Sequence, residues 1–267
     1  MLLLRPSIDP VSRKNRPLAT PAVHEVLRDI GLEPPTDGRP ALDTRGARVL
    51  QDDHLPPGAP MVIQVSRWDP LKDMAGVLQG FVTYVAPARA DAHLVLAGPE
   101  PADIPDDPEG AEIFHRLREA WQGLPPSIRR RVHVVTLSLT DTDTNAQVVN
   151  ALQQRADVVL QKSLREGFGL TVTEAMWKGK AIVASAVGGI PAQIRDGIEG
   201  LLIRDPGDLQ TFGRAVVRLL EDPALRNRLG DAARRRCASR FLIDREFLDY
   251  CTLYRRILSG HRITEQS

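Results

Sequence analysis

The sequence has few of the residues that mark several common classes of protein. Its only cysteines are Cys237 and Cys251, too few for a disulfide framework and at no zinc-binding spacing. Aromatic residues make up 4% of the chain, so stacking platforms for nucleic-acid bases are not expected. A formal net charge of +1 also argues against a dedicated nucleic-acid-binding protein.

Long hydrophobic runs are absent as well. No run approaches the length of a membrane-spanning helix, and residues 1–6 lack the basic region and long apolar core of a signal peptide. We therefore expect a cytoplasmic protein with reduced thiols. The length of 267 residues and the hydrophobic content of 42% are enough for one large domain or two small ones.

Ten prolines interrupt residues 1–60. Within this segment the spacing of apolar residues predicts one helix near residues 21–30, with Pro21 in its first turn and Gly31 after its end. The composition changes at Met61, where an α/β pattern begins. We therefore predict a hinge or linker segment over residues 1–60 and a compact domain over residues 61–267.

In the compact domain, short β-forming runs alternate with segments of helical periodicity. This alternation predicts an α/β fold, a Rossmann-like doubly wound parallel sheet followed by C-terminal helices. Right-handed crossovers then place the loops that follow the strands at one edge of the sheet. The predicted strands cover residues 61–65, 93–98, 131–137, 156–160, 181–186 and 201–203, and the predicted helices cover residues 74–84, 109–121, 145–154, 170–178, 208–221, 223–239 and 244–258.

The most informative stretch is the predicted strand, turn and helix over residues 156–178. Gly167 and Gly169 would let a ligand approach the backbone of the turn, and the N-terminus of the following helix suits a phosphate. Glu166 and Glu174 flank the turn with seven residues between them. Each carboxylate could accept two hydroxyl groups of a sugar or a ribose. The residues alone leave open a simpler interpretation, a surface turn with two solvated glutamates.

Further candidate residues lie after the first and fifth strands of the compact domain. Arg67 and Lys72 could neutralise the charge that develops on a diphosphate leaving group, although two solvated cations would look the same in sequence. The glycine-rich loop 187–191 could serve as a tight turn or as a ligand contact. His93 and His133 lie in strand patterns, where a structural role is the common one.

Residues 166–203 carry a resemblance to a known family. Their sequence, EGFGLTVTEAMWKGKAIVASAVGGIPAQIRDGIEGLLI, resembles the donor-site segment of retaining glycosyltransferases of the GT-B type. The segments PSIDP at residues 6–10, VSRWDPLKD at 65–73 and QKS at 161–163 extend the resemblance over most of the chain, and they are similar to trehalose-forming members of that family.

The resemblance implies the C-terminal domain of a GT-B fold, the half that binds the nucleotide-sugar donor. It implies catalytic roles for Arg67 and Lys72 at the diphosphate and for Glu166 at the donor-sugar hydroxyls, with Glu174 at the ribose. It implies no metal and no cofactor. The remaining donor-binding residues that it implies are Gly167, Phe168, Gly169, Leu170 and Thr171.

The implied reaction is transfer of glucose from a nucleotide-diphosphate donor to a sugar acceptor, namely glucose, with retention at the anomeric carbon. Since the chain opens on a hinge-like segment and holds the donor half, we expect it to require a separate N-terminal half as partner and to transfer little sugar alone. An apolar face predicted on residues 244–258 would suit such a partner.

Several alternatives remain open at this point. One is a non-catalytic nucleotide-sugar-binding module that acts through a partner, and another is a different GT-B enzyme, such as a mannosyltransferase or a sucrose-type synthase. A glycosidase pair formed by Glu166 and Glu174 fits less well, since Glu174 lies inside the predicted helix. No residue identifies the base of the donor.

Overall fold

The computed structural model describes residues 4–36 and 46–259. Its centre is a sheet of seven strands, of which six are parallel, as predicted for a Rossmann-like fold. The strands are β1 Ala47–Leu50, β2 Met61–Val65, β3 His93–Pro99, β4 Val132–Leu137, β5 Val158–Gln161, β6 Ala181–Ser185 and β7 Leu201–Ile203. Their order across the sheet is β1-β4-β3-β2-β5-β6-β7.

The helices connect successive parallel strands and complete the C-terminal region. They are α1 Thr20–Asp29, α2 Met74–Gly80 with a π-helical extension Phe81–Val85, α3 Pro108–Gln122, α4 Pro126–Arg129, α5 Thr142–Arg155, α6 Leu170–Trp177, α7 Ile190–Gln193, α8 Leu209–Glu221, α9 Pro223–Arg240 and α10 Ile243–Leu258. Helix α5 begins earlier than predicted because the side chain of Asp141 accepts hydrogen bonds from the backbone N–H groups of Asp143 and Thr144.

Hydrophobic residues cover both faces of the sheet. Neighbouring residues of one strand, such as Val62 and Ile63 of β2, belong to two different core clusters, because successive side chains of a strand point to opposite faces. All residues of β4 and β6 are buried. Burial on both faces explains why these strands read as continuous apolar runs.

The described part of residues 1–60 packs against this sheet. Strand β1, which was not predicted, forms one edge of the sheet and pairs antiparallel with β4. Val23 and Leu27 of α1 are buried in the core, as is Leu55, and the backbone N–H of Ile8 donates to the carbonyl of Phe241 at 2.9 Å. A hinge role for this segment remains a prediction, and its described residues share the core of the sheet domain.

The direction of winding changes between β2 and β5. The chain moves outward from β2 through β3 to β4, and then returns to place β5 on the other side of β2. At such a position, loops at the carboxyl ends of neighbouring parallel strands diverge and leave a crevice in which ligands bind. The loop that carries Arg67 and Lys72 follows β2, and the loop that carries Glu166 follows β5.

Helix α10 carries large hydrophobic residues on its surface. Phe247 is 66% exposed and Tyr254 is 60% exposed. Of the two free cysteines, Cys237 is buried and Cys251 is exposed. Among the helices of the described chain, none combines the length and apolar character that crossing a membrane requires.

Two histidines connect the sheet to the N-terminal segment. Nδ1 of His93 on β3 lies 2.9 Å from Nε2 of His133 on β4, and Nδ1 of His133 lies 2.9 Å from Oε1 of Gln51, which follows β1. Burial, together with nearby cations, lowers the pKa of His93 to about 4. Burial, together with the neighbouring His93, lowers the pKa of His133 to about 3. Both imidazoles are therefore neutral near pH 7, which fits a structural role.

This histidine pair predicts a loss of stability in mild acid. Unfolded histidines protonate below about pH 6.5, whereas His93 and His133 resist protonation until about pH 4 and 3. Since the unfolded state then binds more protons, the free energy of unfolding falls as the pH decreases from 6.5 toward those values. We expect His133→Gln to lose roughly 2 kcal/mol less of its free energy of unfolding between pH 7 and pH 5 than the unsubstituted protein does. Urea unfolding at both pH values measures the difference.

His115→Gln is the matched control, because His115 is exposed on α3. Its pH dependence should equal that of the unsubstituted protein. If His133→Gln lost as much stability in acid as the unsubstituted protein, the buried pair would not be the cause.

Candidate functional site

The predicted glycine turn joins β5 to α6 at the carboxyl edge of the sheet. Gly169 has φ +88° and directly precedes α6, and no side chain caps the first N–H groups of this helix. A β-carbon at Gly167 would meet no atom within 4 Å, so that side of the turn is open. The backbone at the start of α6 is therefore available to an anionic group.

The first glutamate of the motif is held in place by neighbouring side chains. Oε2 of Glu166 lies 2.5 Å from Nζ of Lys72, and it accepts hydrogen bonds from Nε2 of Gln161 at 3.1 Å and Oγ of Ser163 at 3.3 Å. The Lys72 and Glu166 side chains are 17% and 9% exposed. The structure thus joins two of the predicted catalytic residues, one from the loop after β2 and one from the loop after β5.

A second ion pair joins the same two loops. Nζ of Lys162, which is almost fully buried after β5, contacts a carboxylate oxygen of Asp73. Asp73 also caps α2, since its other oxygen accepts the N–H of Gly76 at 3.0 Å. Asp73 has φ +50°, and among the described residues it is the one non-glycine in the left-handed region. These contacts fix the backbone next to Lys72.

A cleft of about 320 Å³ lies along the same edge of the sheet. We call it the edge cleft and define it by the residues that line it, which include Lys14, Arg67 and Thr171 at polar positions and Ile104, Leu137 and Leu139 at apolar ones. The side chain of Arg67 is 67% exposed and lies 3.1 Å from Oδ2 of Asp69. Neither Lys72 nor Glu166 lines the cleft itself.

The second glutamate of the motif pairs with a lysine that sequence reasoning did not single out. Oε1 of Glu174 lies 2.9 Å from Nζ of Lys14, and the Glu174 side chain is only 6% exposed. Lys14 lies in the proline-rich segment, with 159 residues between it and Glu174, and no pattern in the sequence connects the two. Glu174 is thereby linked to the edge cleft that Arg67 and Thr171 line.

Lys178, at the end of α6, is a second cation near Glu174. Burial lowers the pKa of Lys178 to about 8, and the Glu174 carboxylate opposes that decrease. Nζ of Lys178 donates to Oδ1 of Asn15 at 3.2 Å, so this lysine is held by the N-terminal segment. Lys14 and Lys178 therefore both contribute positive charge near Glu174.

The side chains of Gln193 and Phe241 pack against the motif turn. Nε2 of Gln193 donates to the carbonyl of Phe168, while Oε1 of Gln193 accepts from Oγ1 of Thr173 at 2.7 Å. The ring of Phe168 meets the ring of Phe241 edge to face, with 5.9 Å between centroids. Gln193 was not among the predicted site residues, and its contact with the motif turn could not be inferred from its position in the chain.

The predicted site residues therefore come to one edge of the sheet. Arg67 and Thr171 line the edge cleft, Lys72 pairs with Glu166, and Glu174 reaches the cleft through Lys14. The donor contacts expected of Gly167 to Leu170 stay predictions. Within residues 4–36 and 46–259, no three His, Cys, Asp or Glu side chains are grouped in a way that could hold a metal ion.

The loop 187–191 packs against the motif turn. The N–H of Gly189 donates to the carbonyl of Gly167 at 2.8 Å. Gly188 has φ +54°, and a β-carbon there would lie 1.6 Å from the carbonyl oxygen of Glu166. Only glycine fits this contact, since any side chain would displace the backbone that carries Glu166.

Gly188→Ala is therefore predicted to disrupt the motif turn. We expect the free energy of unfolding to fall by roughly 3 kcal/mol or more, because the methyl group adds an overlap with backbone to the strain of a positive φ. Urea unfolding monitored by circular dichroism measures the change.

Gly197→Ala separates the two contributions. Gly197 has φ +72°, but a β-carbon there would meet nothing within 4 Å. We expect a loss of about 1 kcal/mol, the strain of the left-handed conformation alone. Equal losses in the two variants would contradict the packing role of Gly188.

Comparisons with known proteins identify the family and the fold of the chain. The family described as "Glycosyl transferases group 1" matches residues 136–236. The chain is 34% identical over 250 residues to a trehalose synthase of Pyrococcus horikoshii, an alignment that covers 93% of this chain and 51% of the relative. The chain thus spans about half the length of the curated relatives named trehalose synthase.

Solved structures have the same fold. The sucrose-phosphate synthase of Thermosynechococcus elongatus superposes with a TM-score of 0.65 at 29% identity, over 77% of this chain and 47% of that one. The Anabaena protein HepE in complex with UDP-glucose superposes with a TM-score of 0.62 at 18% identity, over 89% of this chain and 53% of that one. The chain therefore contains a glycosyl transferases group 1 domain and has the fold of the C-terminal part of a GT-B glycosyltransferase.

Proposed function

We propose that this chain binds a nucleotide-diphosphate glucose at the edge cleft and carries the donor half of a retaining glucosyl transfer that forms trehalose. The observation that carries the proposal is the convergence of Arg67, the Lys72–Glu166 pair and the Lys14–Glu174 pair on one edge of the sheet. No metal or cofactor takes part.

The cations act on the leaving group. When the bond between the anomeric carbon and the phosphate oxygen breaks, negative charge accumulates on the diphosphate. Arg67 and Lys72 neutralise that charge, together with the N–H groups at the start of α6. A diphosphate oxygen then assists removal of the acceptor's proton on the face that the leaving group vacates, which gives retention.

The two glutamates position the donor. Glu166 accepts hydrogen bonds from hydroxyls of the glucosyl group, and its contacts with Gln161 and Ser163 fix the direction of its carboxylate. Glu174 accepts hydrogen bonds from the ribose. Gly167 to Leu170 present backbone to the sugar and the phosphate, and Thr171 faces the cleft. These roles supply orientation, which is a large part of catalysis by such enzymes.

The relatives support this choice of substrate class. Matched proteins are named trehalose synthase and trehalose phosphorylase, and the superposed structures include sucrose-phosphate synthase and a complex of HepE with UDP-glucose. All of these names refer to a glucose-containing disaccharide or to a nucleotide-glucose. A GT-B glycosyltransferase with another sugar or acceptor is the alternative that these names also allow.

The acceptor is held by a second half that is paired with this one. Curated relatives are about twice as long as the matched region, and α10 offers the exposed apolar side chains of Phe247 and Tyr254 to a partner. We therefore propose that transfer requires an N-terminal GT-B half, and that the isolated chain retains only donor binding.

A panel of UDP, ADP and GDP tests donor binding and identifies the base. A ligand that binds only the folded state stabilises it by about 2.7 kcal/mol at 100 times its dissociation constant. We expect one of the three nucleotides to raise the melting temperature by roughly 5 °C or more in a thermal-shift assay. No shift with any of them would contradict the proposal.

Arg67→Met should weaken that shift, since it removes a cation that contacts the diphosphate. Arg116→Met is the matched control: Arg116 is 68% exposed and paired with Glu112, as Arg67 is 67% exposed and paired with Asp69. We expect about a tenfold weaker binding for the first variant and unchanged binding for the second. Equal effects would place the diphosphate elsewhere.

Glucosyl transfer to glucose by the isolated chain tests the need for a second half. With the nucleotide-glucose chosen from the panel, we expect trehalose formation close to the uncatalysed level, because no acceptor site is assembled. Chromatographic detection of trehalose measures the product. Turnover of about 1 s⁻¹ or more, an ordinary rate for an enzyme, would show that the chain is complete for catalysis.

A further inference from the structure

We propose that Lys14 is a donor-binding residue that moves from Glu174 to the diphosphate when the donor binds, which leaves Glu174 free for the ribose. This inference rests on the proposed function, because it concerns the same donor. It assigns to the proline-rich segment a direct part in recognising a nucleoside diphosphate.

The first observation is that Glu174 has little surface left for a ligand. Oε1 of Glu174 is bonded to Lys14, and Oε2 is buried without a hydrogen-bond partner in the part of the chain that the structure describes. A buried carboxylate oxygen without a partner is costly. A ribose could therefore use both oxygens of Glu174 once the Lys14 ammonium turns aside.

The second observation is that Lys14 reaches the edge cleft. Its side chain is 40% exposed, and it lines the cleft together with Arg67 and Thr171. A diphosphate brings more than one negative charge to this cleft, whereas Glu174 offers one, so Coulomb attraction favours the exchange. A lysine suits such an exchange, because its ammonium is a point charge on a flexible stem.

The backbone around Lys14 is fixed, so the exchange needs only its side chain to move. The carbonyl of Asn15 accepts a hydrogen bond from Nε1 of Trp177 at 3.1 Å, and the carbonyl of Arg16 accepts one from Nδ2 of Asn150 at 2.9 Å. These contacts attach the segment to α6 and α5. Lys14 is thus placed beside both the ribose-binding carboxylate and the cleft.

The same arrangement recurs at the other glutamate. Glu166 pairs with Lys72 as Glu174 pairs with Lys14, and in each pair the lysine comes from a different segment of the chain. When Lys14 turns toward the diphosphate, the Glu174 carboxylate becomes available to hydroxyls, while Lys72 stays beside Glu166. Binding of the charged group and binding of the hydroxyl groups are then coupled, and a nucleoside without phosphates lacks the charge that drives the exchange.

Lys14→Met tests this coupling. The first ligand is the nucleoside diphosphate that gives the largest shift in the UDP, ADP and GDP panel, and its affinity is measured by calorimetry. The second ligand is the corresponding nucleoside, whose affinity is measured by its competition with that diphosphate. We expect the affinity for the diphosphate to fall about 10- to 100-fold, the loss of one hydrogen bond to a charged group. The affinity for the nucleoside should stay the same or rise.

Arg13→Met is the matched control on the same segment, since Arg13 pairs with the exposed Asp143 at 3.2 Å. Both affinities should match those of the unsubstituted protein. An equal loss of both affinities in Lys14→Met would mean that Lys14 only holds Glu174 in place, and unchanged affinities would mean that it takes no part; either result overturns the inference. If the unsubstituted protein bound none of the nucleotides, the proposed function itself would fail.

Lys14→Met leaves the Glu174 carboxylate without its partner, and this could prevent the variant from folding. A second pair of variants covers that case. Glu174→Gln removes that charge, and the double variant Lys14→Met/Glu174→Gln removes both. The double variant should bind the diphosphate about tenfold more weakly than Glu174→Gln alone. Equal affinities of these two variants for the diphosphate overturn the inference.

Discussion

The ion pair between Lys72 and Glu166 is the interaction on which the site depends. It joins the loop after β2 to the loop after β5, and 93 residues lie between Lys72 and Glu166 in the chain. Both side chains are largely buried, so their charges are poorly screened by water and each needs the other. Gln161 and Ser163 complete the contacts of the carboxylate, and this leaves Glu166 with a single well-defined direction.

The register of the sheet makes that pair possible. Gln64 of β2 is level with Leu160 of β5, so the two strands end side by side. Strands that are adjacent in space but not in sequence place their following loops on either side of a crevice. The glycine loop after β6 then closes against the motif turn through Gly188 and Gly189, where only an absent side chain allows the approach. Three consecutive strand ends of the sheet thus contribute to one surface.

Much of the fold could be predicted from the sequence, because the parallel strands are buried on both faces and their apolar runs are bounded by turns. Strand β1 escaped prediction because it is short and partly exposed, and because it lies at the edge of the sheet, beside β4. The start of α5 was placed too late, since the capping role of Asp141 was not recognised in a run of polar residues.

The candidate site could be predicted where its residues are adjacent in sequence and not where they meet only in space. Glu166, the glycines and Glu174 form one motif, and Arg67 and Lys72 follow one strand. Lys14 and Gln193 come from other parts of the chain, and nothing in their local sequence distinguishes them from ordinary polar residues. The contact of Lys14 follows from packing of the proline-rich segment on α5 and α6, and the contacts of Gln193 follow from packing of α7 against α6. No local pattern encodes either.

The buried contact between Lys162 and Asp73 has a consequence for how this edge can change. It connects the same two loops as Lys72 and Glu166, and its lysine is almost fully buried. One pair of charges thus holds the two loops together, and the neighbouring pair contains the carboxylate that we propose binds the sugar. Under the proposed function, substitutions at Glu166 alter which sugar is held while Lys162 and Asp73 preserve the scaffold, so one domain can diversify its substrates without rebuilding the edge.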